Sequence, residues 1–280
     1  MRTTGAVVLA LTLATCAATT PVPATTTRAT GDTFGKFVWH DLVTDDIDAA
    51  RRFYGQLLGW QFMTVTRIGK PYVIATYQGH PVAGFVPVKP VTGDEVSQWI
   101  GYQSVSNVED RVAAVERAGG KTLVAPVTVA VGRAAVVSDP RGAPLGLLRL
   151  TAGDPPDEAA PRDHTFFWME YVARDPAAAA AFYADTFGYQ RRVTDQLGAA
   201  EYVVLSRGRP RGGILPAPRA DLREAWLPYL LVSDPAPLVA RAEKLGGTVF
   251  LAPRPDIRRG SLAVVIDPSG AMVALQKYPF

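Results

Sequence analysis

The sequence predicts an α+β protein made of two tandem domains. Each domain is read as two βαβββ modules that curl into a half-open, barrel-like cup. Three observations lead there: an internal repeat, the alternation of strand and helix periods within each repeat, and a globular composition. The chain has 280 residues, 48% hydrophobic and 20% charged, enough for two cores and unlike a disordered polymer. The net charge of +3 is too small to argue for nucleic acid as a partner.

The repeat is read from fixed offsets. Phe53-Tyr54 returns as Phe182-Tyr183 and Gly84 as Gly213, both 129 residues on. Trp99-x-x-Tyr102 returns as Trp226-x-x-Tyr229 at 127, and Asp139-Pro140-x-Gly142 as Asp267-Pro268-x-Gly270 at 128. So steady a spacing means a duplicated domain. The expected division is a signal segment at 1–16, an Ala/Thr/Pro tether at 17–33, domains at 34–151 and 163–280, and a Pro-rich acidic linker at 152–162.

Each element follows from local pattern. Val38–Thr44 alternates as a strand. Asp45 and Asp46 precede a helix over Ile47–Leu58, whose apolar face holds Phe53, Leu57 and Leu58, and Gly59 ends it. Strands follow at Gln61–Arg67, Pro71–Gln78 and Val82–Val88. The second module reads as strand Trp99–Val105, helix Val108–Ala118, then strands at Lys121–Pro126, Val127–Asp139 and Ala143–Leu150. The second repeat opens on Phe166–Ala173 and a helix over Pro176–Thr186. Gly208–Gly213, GRPRGG, reads as a hairpin turn.

At the N-terminus, Met1-Arg2 precedes an apolar run from Ala6 to Ala14, too short to span a bilayer. Leu13-Ala14-Thr15-Cys16 resembles a bacterial lipobox, so Cys16 is the expected lipidation site. An exported, membrane-anchored lipoprotein is then predicted, attached to the membrane through that lipid alone. A secreted or periplasmic soluble protein is the alternative. Cys16 is the only cysteine, which excludes an intramolecular disulfide.

With the helix Phe-Tyr pair, the Asp-Pro-x-Gly before each last strand and the duplicated βαβββ plan, the chain from Phe34 to Phe280 resembles the vicinal oxygen chelate superfamily: glyoxalase I, bleomycin resistance proteins and extradiol dioxygenases. The resemblance implies a divalent metal held in the cup by one residue from each of four strands. His40 matches the first position by its spacing to Phe53. The other three fall near Gly84-Phe85, at Trp99 or Ile100, and at Gly146, none of them a usual ligand. In the second repeat they fall at Met169, Gly213 to Ile214, Trp226 or Leu227, and Ala274. No metal site is therefore predicted and no cofactor is expected, because a divalent ion needs three or four protein ligands.

The candidate ligand-pocket residues are His40, Trp99, Tyr102, Trp226 and Tyr229. His40 is read as a buried, hydrogen-bonded imidazole or a ligand contact. The aromatics either stack on a flat ligand or fill the cup. Asp41 and Glu170 are expected in salt bridges at a domain interface, and Trp39 and Trp168 in packing. Three functions stay open: metal-free binding of a small molecule, a metal-dependent glyoxalase-like lyase or dioxygenase, and a pseudo-enzyme serving a protein–protein contact. Tandem copies supply the pairing that a dimer would, so a monomer is expected.

Overall fold

A computed structural model describes residues 33–67, 70–89, 97–158, 160–197 and 200–278. The signal segment, Cys16 and the tether up to residue 32 lie outside the described residues.

The first repeat contains β1 (Phe37–Thr44), α1 (Ile47–Leu58), β2 (Gln61–Arg67), β3 (Lys70–Tyr77) and β4 (His80–Pro87), then β5 (Gln98–Ser104), α2 (Val108–Arg117), β6 (Lys121–Val129), β7 (Gly132–Ser138) and β8 (Pro144–Leu150). The second repeats the order: β9 (Phe166–Ala173), α3 (Pro176–Phe187), β10 (Gln190–Leu197), β11 (Ala200–Arg207), β12 (Arg209–Pro216), β13 (Ala225–Leu231), α4 (Ala236–Lys244), β14 (Thr248–Leu251), β15 (Leu262–Ile266) and β16 (Met272–Gln276). Each repeat contributes one open eight-stranded sheet, ordered β2-β3-β4-β1-β5-β8-β7-β6 and β10-β11-β12-β9-β13-β16-β15-β14. This is the α+β, two-sheet architecture that the duplicated pattern predicts.

Local chemistry sets the ends. Asp46 and Asp175 accept hydrogen bonds from Ala49 N and Ala178 N, capping α1 and α3. Gly59 at φ 73° and Gly188 at φ 72° close them in the left-handed region that glycine enters without strain. Two boundary shifts matter for the sheet edges. Arg209–Gly213 is not a turn but the start of β12, and the reversal narrows to Gly208 at φ 70°. β6 also runs through Pro126 to Val129 instead of stopping there, with register shifts around Val124. β6 is an edge strand, where a missing ladder donor costs little.

Contacts concentrate in two units, each built from one module of each repeat. The first unit holds the residues up to Val38 with Tyr102–Pro156 and Val172–Ala225. The second holds Trp39–Gly101, Asp157–Tyr171 and Trp226–Phe280. In the second unit α1 buries Ala50, Phe53, Tyr54, Leu57 and Leu58. They join Leu42, Phe85 and Trp99 of their own repeat with Leu230, Val265, Val273 and Leu275 of the other, while Leu238 and Val239 of α4 pack alongside. Side chains of this size each contribute about 1.5–3 kcal/mol when fully buried.

The two recurrent motifs lock the modules together. In the second unit Tyr54 Oη donates to Asp267 Oδ2 at 3.0 Å. In the first, Tyr183 Oη donates to Asp139 Oδ2, also at 3.0 Å. The helix tyrosine of one repeat thus holds the Asp-Pro-x-Gly turn of the other. Each aspartate's second oxygen ties its own turn, Asp139 Oδ1 to Arg141 N and Ala143 N, Asp267 Oδ1 to Ser269 N and Ala271 N. Burial pushes Tyr54 well above the ordinary phenol range, with Asp267 adding to it, and burial also raises the Asp267 carboxyl.

Candidate functional site

The strand register decides which side chains share a face. β1 runs parallel to β4 with Asp41 paired to Gly84, and paired residues on neighbouring strands point to the same side. Asp41 therefore shares the face of Gly84, and His40 points the other way. A Cβ added at Gly84 would overlap Tyr72 Oη and Asp41 Oδ1, so those groups occupy the space that a longer side chain at position 84 would need. Tyr72 Oη and Trp39 Nε1 both donate to Asp41 Oδ1 at 2.8 Å. Asp41 thus sits in a tyrosine–tryptophan cluster. Trp39, expected in packing, is half-buried and donates to it.

The corresponding cluster in the second repeat is centred on Glu170, which is 1% exposed. It accepts from Tyr229 Oη, from Arg258 Nη2 and, at 3.2 Å, from Trp168 Nε1. Arg258 also donates to Gln276 Oε1 at 2.7 Å and lies 5.2 Å from the Tyr229 ring centroid. It is delivered by a one-turn 3₁₀ segment in which Arg258 and Arg259 take φ values of 46° and 54°, uncommon for residues with a side chain. Phe167 packs edge-on to Tyr229 at 6.5 Å and against Tyr278 at 6.3 Å.

In the first unit, β5 and β8 pair in parallel with Tyr102 opposite Gly146, and the Tyr102 ring covers the place where a Gly146 side chain would begin. Tyr202 does the same for Gly213. Tyrosine over glycine thus recurs at Gly84, Gly146 and Gly213.

The predicted pocket residues divide. Tyr102 and Tyr229 lie on the faces just described. Trp99 is 4% exposed and buried in the second unit's core, where its Nε1 donates to Tyr54 Oη at 3.0 Å. Trp226 is also buried, edge-on to Tyr171 at 5.4 Å. His40 stacks on Phe166 at 4.1 Å, and burial lowers its pKa from 6.5 to about 3, which keeps the imidazole neutral. Sequence reasoning did not single out Tyr72, Tyr202 or Arg258. The signal for the tyrosines was present, since they recur 130 residues apart, each on the strand before its glycine. Two surface depressions, of about 140 Å³ beside Tyr77 and His80 and about 370 Å³ beside Arg191 and Arg209, lie apart from these residues.

Residues 36–147 match the family model for the Glyoxalase/Bleomycin resistance protein/Dioxygenase superfamily, and residues 164–275 match that for a Glyoxalase-like domain. The provisionally named glyoxylase CFP32 of Mycobacterium tuberculosis is 30% identical over 247 residues, spanning 85% of this chain and 93% of its own length. The chain belongs to the glyoxalase/bleomycin resistance/dioxygenase superfamily. The Anthracycline biosynthesis protein DauV of a Streptomyces species is a further relative, 29% identical over 252 residues, with 85% and 91% covered. Among solved structures of the superfamily, the Mn(II)-bound glyoxalase of Novosphingobium aromaticivorans superposes with TM-score 0.59 at 16% identity, covering 87% of this chain and 82% of that one. The 2,3-dioxygenase LapB of Pseudomonas sp. KL28 gives 0.57 at 15%, covering 88% and 92%. At these identities the likeness shows the fold.

The superfamily's metal can be tested against the residues present, and they do not fit it. Asp41 and Glu170 are carboxylates, but Gly84, Gly146, Gly213 and Ala274 carry no donor, and tyrosine rings take up the room beside the glycines. Arg258 already neutralises Glu170. Among the described residues no three His, Cys, Asp or Glu side chains converge, whereas a divalent ion takes three or four such ligands.

Proposed function

We propose that this superfamily member is an exported, lipid-anchored monomer that binds a small aromatic molecule without a metal. The observation that carries the reading is the replacement of ligand positions by glycines capped with tyrosine, beside carboxylates already held by protein donors. Such a face offers hydrogen bonds and aromatic surface rather than Lewis acidity. The half-buried Trp39, Tyr72, Phe167 and Trp168 supply that surface. A relative named for anthracycline biosynthesis supports an aromatic ligand. The lipobox-like Leu13–Cys16 and the Ala/Thr/Pro tether support the anchor. No described helix is long and apolar enough to cross a membrane. The mild charge gives no footing to nucleic acid.

Tryptophan fluorescence of the purified protein, titrated with a panel of polycyclic and phenolic aromatics, tests the binding. Saturable quenching that weakens in Tyr229→Phe supports it, and a panel without saturable change defeats it. Intact-mass measurement of the mature protein tests the anchor: diacylglycerol on Cys16 is expected, and an unmodified N-terminus or cleavage elsewhere removes it.

A further inference from the structure

In the first unit a buried amide and a buried guanidinium Nε lack the partners that burial normally demands, and a second, exposed guanidinium stands near them. Gln103 on β5 is fully buried, and neither its Nε2 nor its Oε1 has a hydrogen-bond partner. It lies beside Tyr189, whose phenol burial holds well above the ordinary range and whose Oη donates to Gly35 O at 2.5 Å. Arg111 on α2 stands 5.5 Å from the Phe187 ring centroid, and its Nε is buried with no acceptor. Arg207, exposed at the end of β11, donates to Phe187 O at 3.0 Å and lies 5.8 Å from the Phe34 ring. Neither Arg111 nor Arg207 has a carboxylate within ion-pair distance among the described residues. Burial, and then the positive charge of Arg207, lower the Arg111 pKa, while Arg211 adds to the positive field at Tyr189.

The second unit is an internal control. At the repeat offsets, Gln103 corresponds to Leu230, Arg111 to Leu238, Phe187 to Leu58, Tyr189 to Trp60 and Arg211 to Val82. Four of those counterparts belong to the second unit's apolar cluster, and Leu238 packs against it. At these five positions the second unit closes with apolar and aromatic side chains, Trp60 donating its Nε1 to His164 O, and the counterpart of Arg207 is the uncharged Gln78. An unsatisfied buried amide and like charges are costly, and an incoming anion offsets that cost.

We propose that Gln103, Arg111 and Arg207 form a binding site for a phosphate group. Its charge matches the two guanidinium groups, neither of them ion-paired to a described carboxylate, whose forked donors suit its oxygens, and the Gln103 amide supplies a further donor. The exposed Arg207 side is the entry. The site is separate from the carboxylate–tyrosine faces and does not depend on their ligand. A free phosphorylated small molecule and an anionic phospholipid headgroup present the same group.

The test uses the full chain carrying Cys16→Ser, so that no acyl chain contributes. Inorganic phosphate is titrated calorimetrically at fixed ionic strength. In parallel, flotation compares vesicles of phosphatidylcholine with and without phosphatidylglycerol. Saturable phosphate binding that weakens roughly tenfold or more in Arg111→Leu and Gln103→Leu supports the site. These variants install the other unit's residues. Flotation that requires phosphatidylglycerol and is lost in the same variants identifies the lipid as the source; its absence alongside phosphate binding identifies a free ligand. Should Arg111→Leu not fold, Arg207→Gln, at an exposed position, decides in its place. No saturable binding of either probe, or binding that these substitutions leave unchanged, overturns the proposal.

Discussion

Acid should destabilise this protein through a single imidazole. His40 is 7% exposed, stacked on Phe166, and its pKa falls from 6.5 to about 3 through burial. Its folded pKa lies below its unfolded value, so the unfolded chain takes up the proton first as pH falls. The contribution is complete above pH 6.5 and is lost progressively down to about 3. At 1.36 kcal/mol per pKa unit, about 3 kcal/mol disappears between neutral pH and pH 4. Asp267 acts in the opposite direction: burial raises its folded pKa, so its contribution grows as pH falls through that raised value. Comparing wild type with His40→Met cancels this and every other shared carboxylate. Methionine is chosen because Met169 fills the equivalent place at 1% exposure. Urea unfolding followed by circular dichroism at pH 7 and pH 4 measures the difference. The wild type should lose about 3 kcal/mol more than the variant, or roughly 6–12 °C in Tm for units of this size. Equal pH dependence in the two proteins would refute the reasoning.

Tyr54→Phe should cost about 1–3 kcal/mol, since it strands Asp267 Oδ2 and Trp99 Nε1; Tyr183→Phe, which loses the bond to Asp139 Oδ2, should cost an amount of the same order, about 1–3 kcal/mol, and denaturant midpoints compare them. Arg258→Met leaves Glu170 buried without its cation and should cost about 2–4 kcal/mol, because Arg258 retains some exposure. Adding Glu170→Gln should recover part of that loss, and a double-mutant cycle showing simple additivity would contradict the pairing. Gly84→Ala should destabilise by about 1–3 kcal/mol and alter the Trp39 emission, because Tyr72 and Asp41 must move. Gly142→Ala meets no atom within 4 Å, so it should cost only the strain of its φ of 89°, about 1 kcal/mol.

The elements were legible because local signals agreed. Asp46 and Gly59 bracket α1, the alternation in Phe37–Thr44 marks β1, and the 127–129-residue offsets disclose the duplication. The exchange of modules between repeats was not legible. The Phe-Tyr helix and the Asp-Pro-x-Gly turn are each readable, but nothing local says that Tyr54 belongs with Asp267 rather than with Asp139. The face was hidden for a different reason. Spacing to Phe53 selects His40, yet strand parity turns on one residue, and the register with Gly84 selects Asp41. Arg258 comes from a loop whose conformation no periodicity encodes.

Tyrosine, glycine and an internal guanidinium stand on the faces where the resemblance places metal ligands, and on that ground we propose that the protein holds no metal there. Calorimetric titration of the chelator-treated protein with Mn(II), Zn(II) and Fe(II) tests it most directly. No saturable, stoichiometric binding of any of the three is expected. One equivalent of metal bound tightly, and lost on Asp41→Asn or Glu170→Gln, would contradict it.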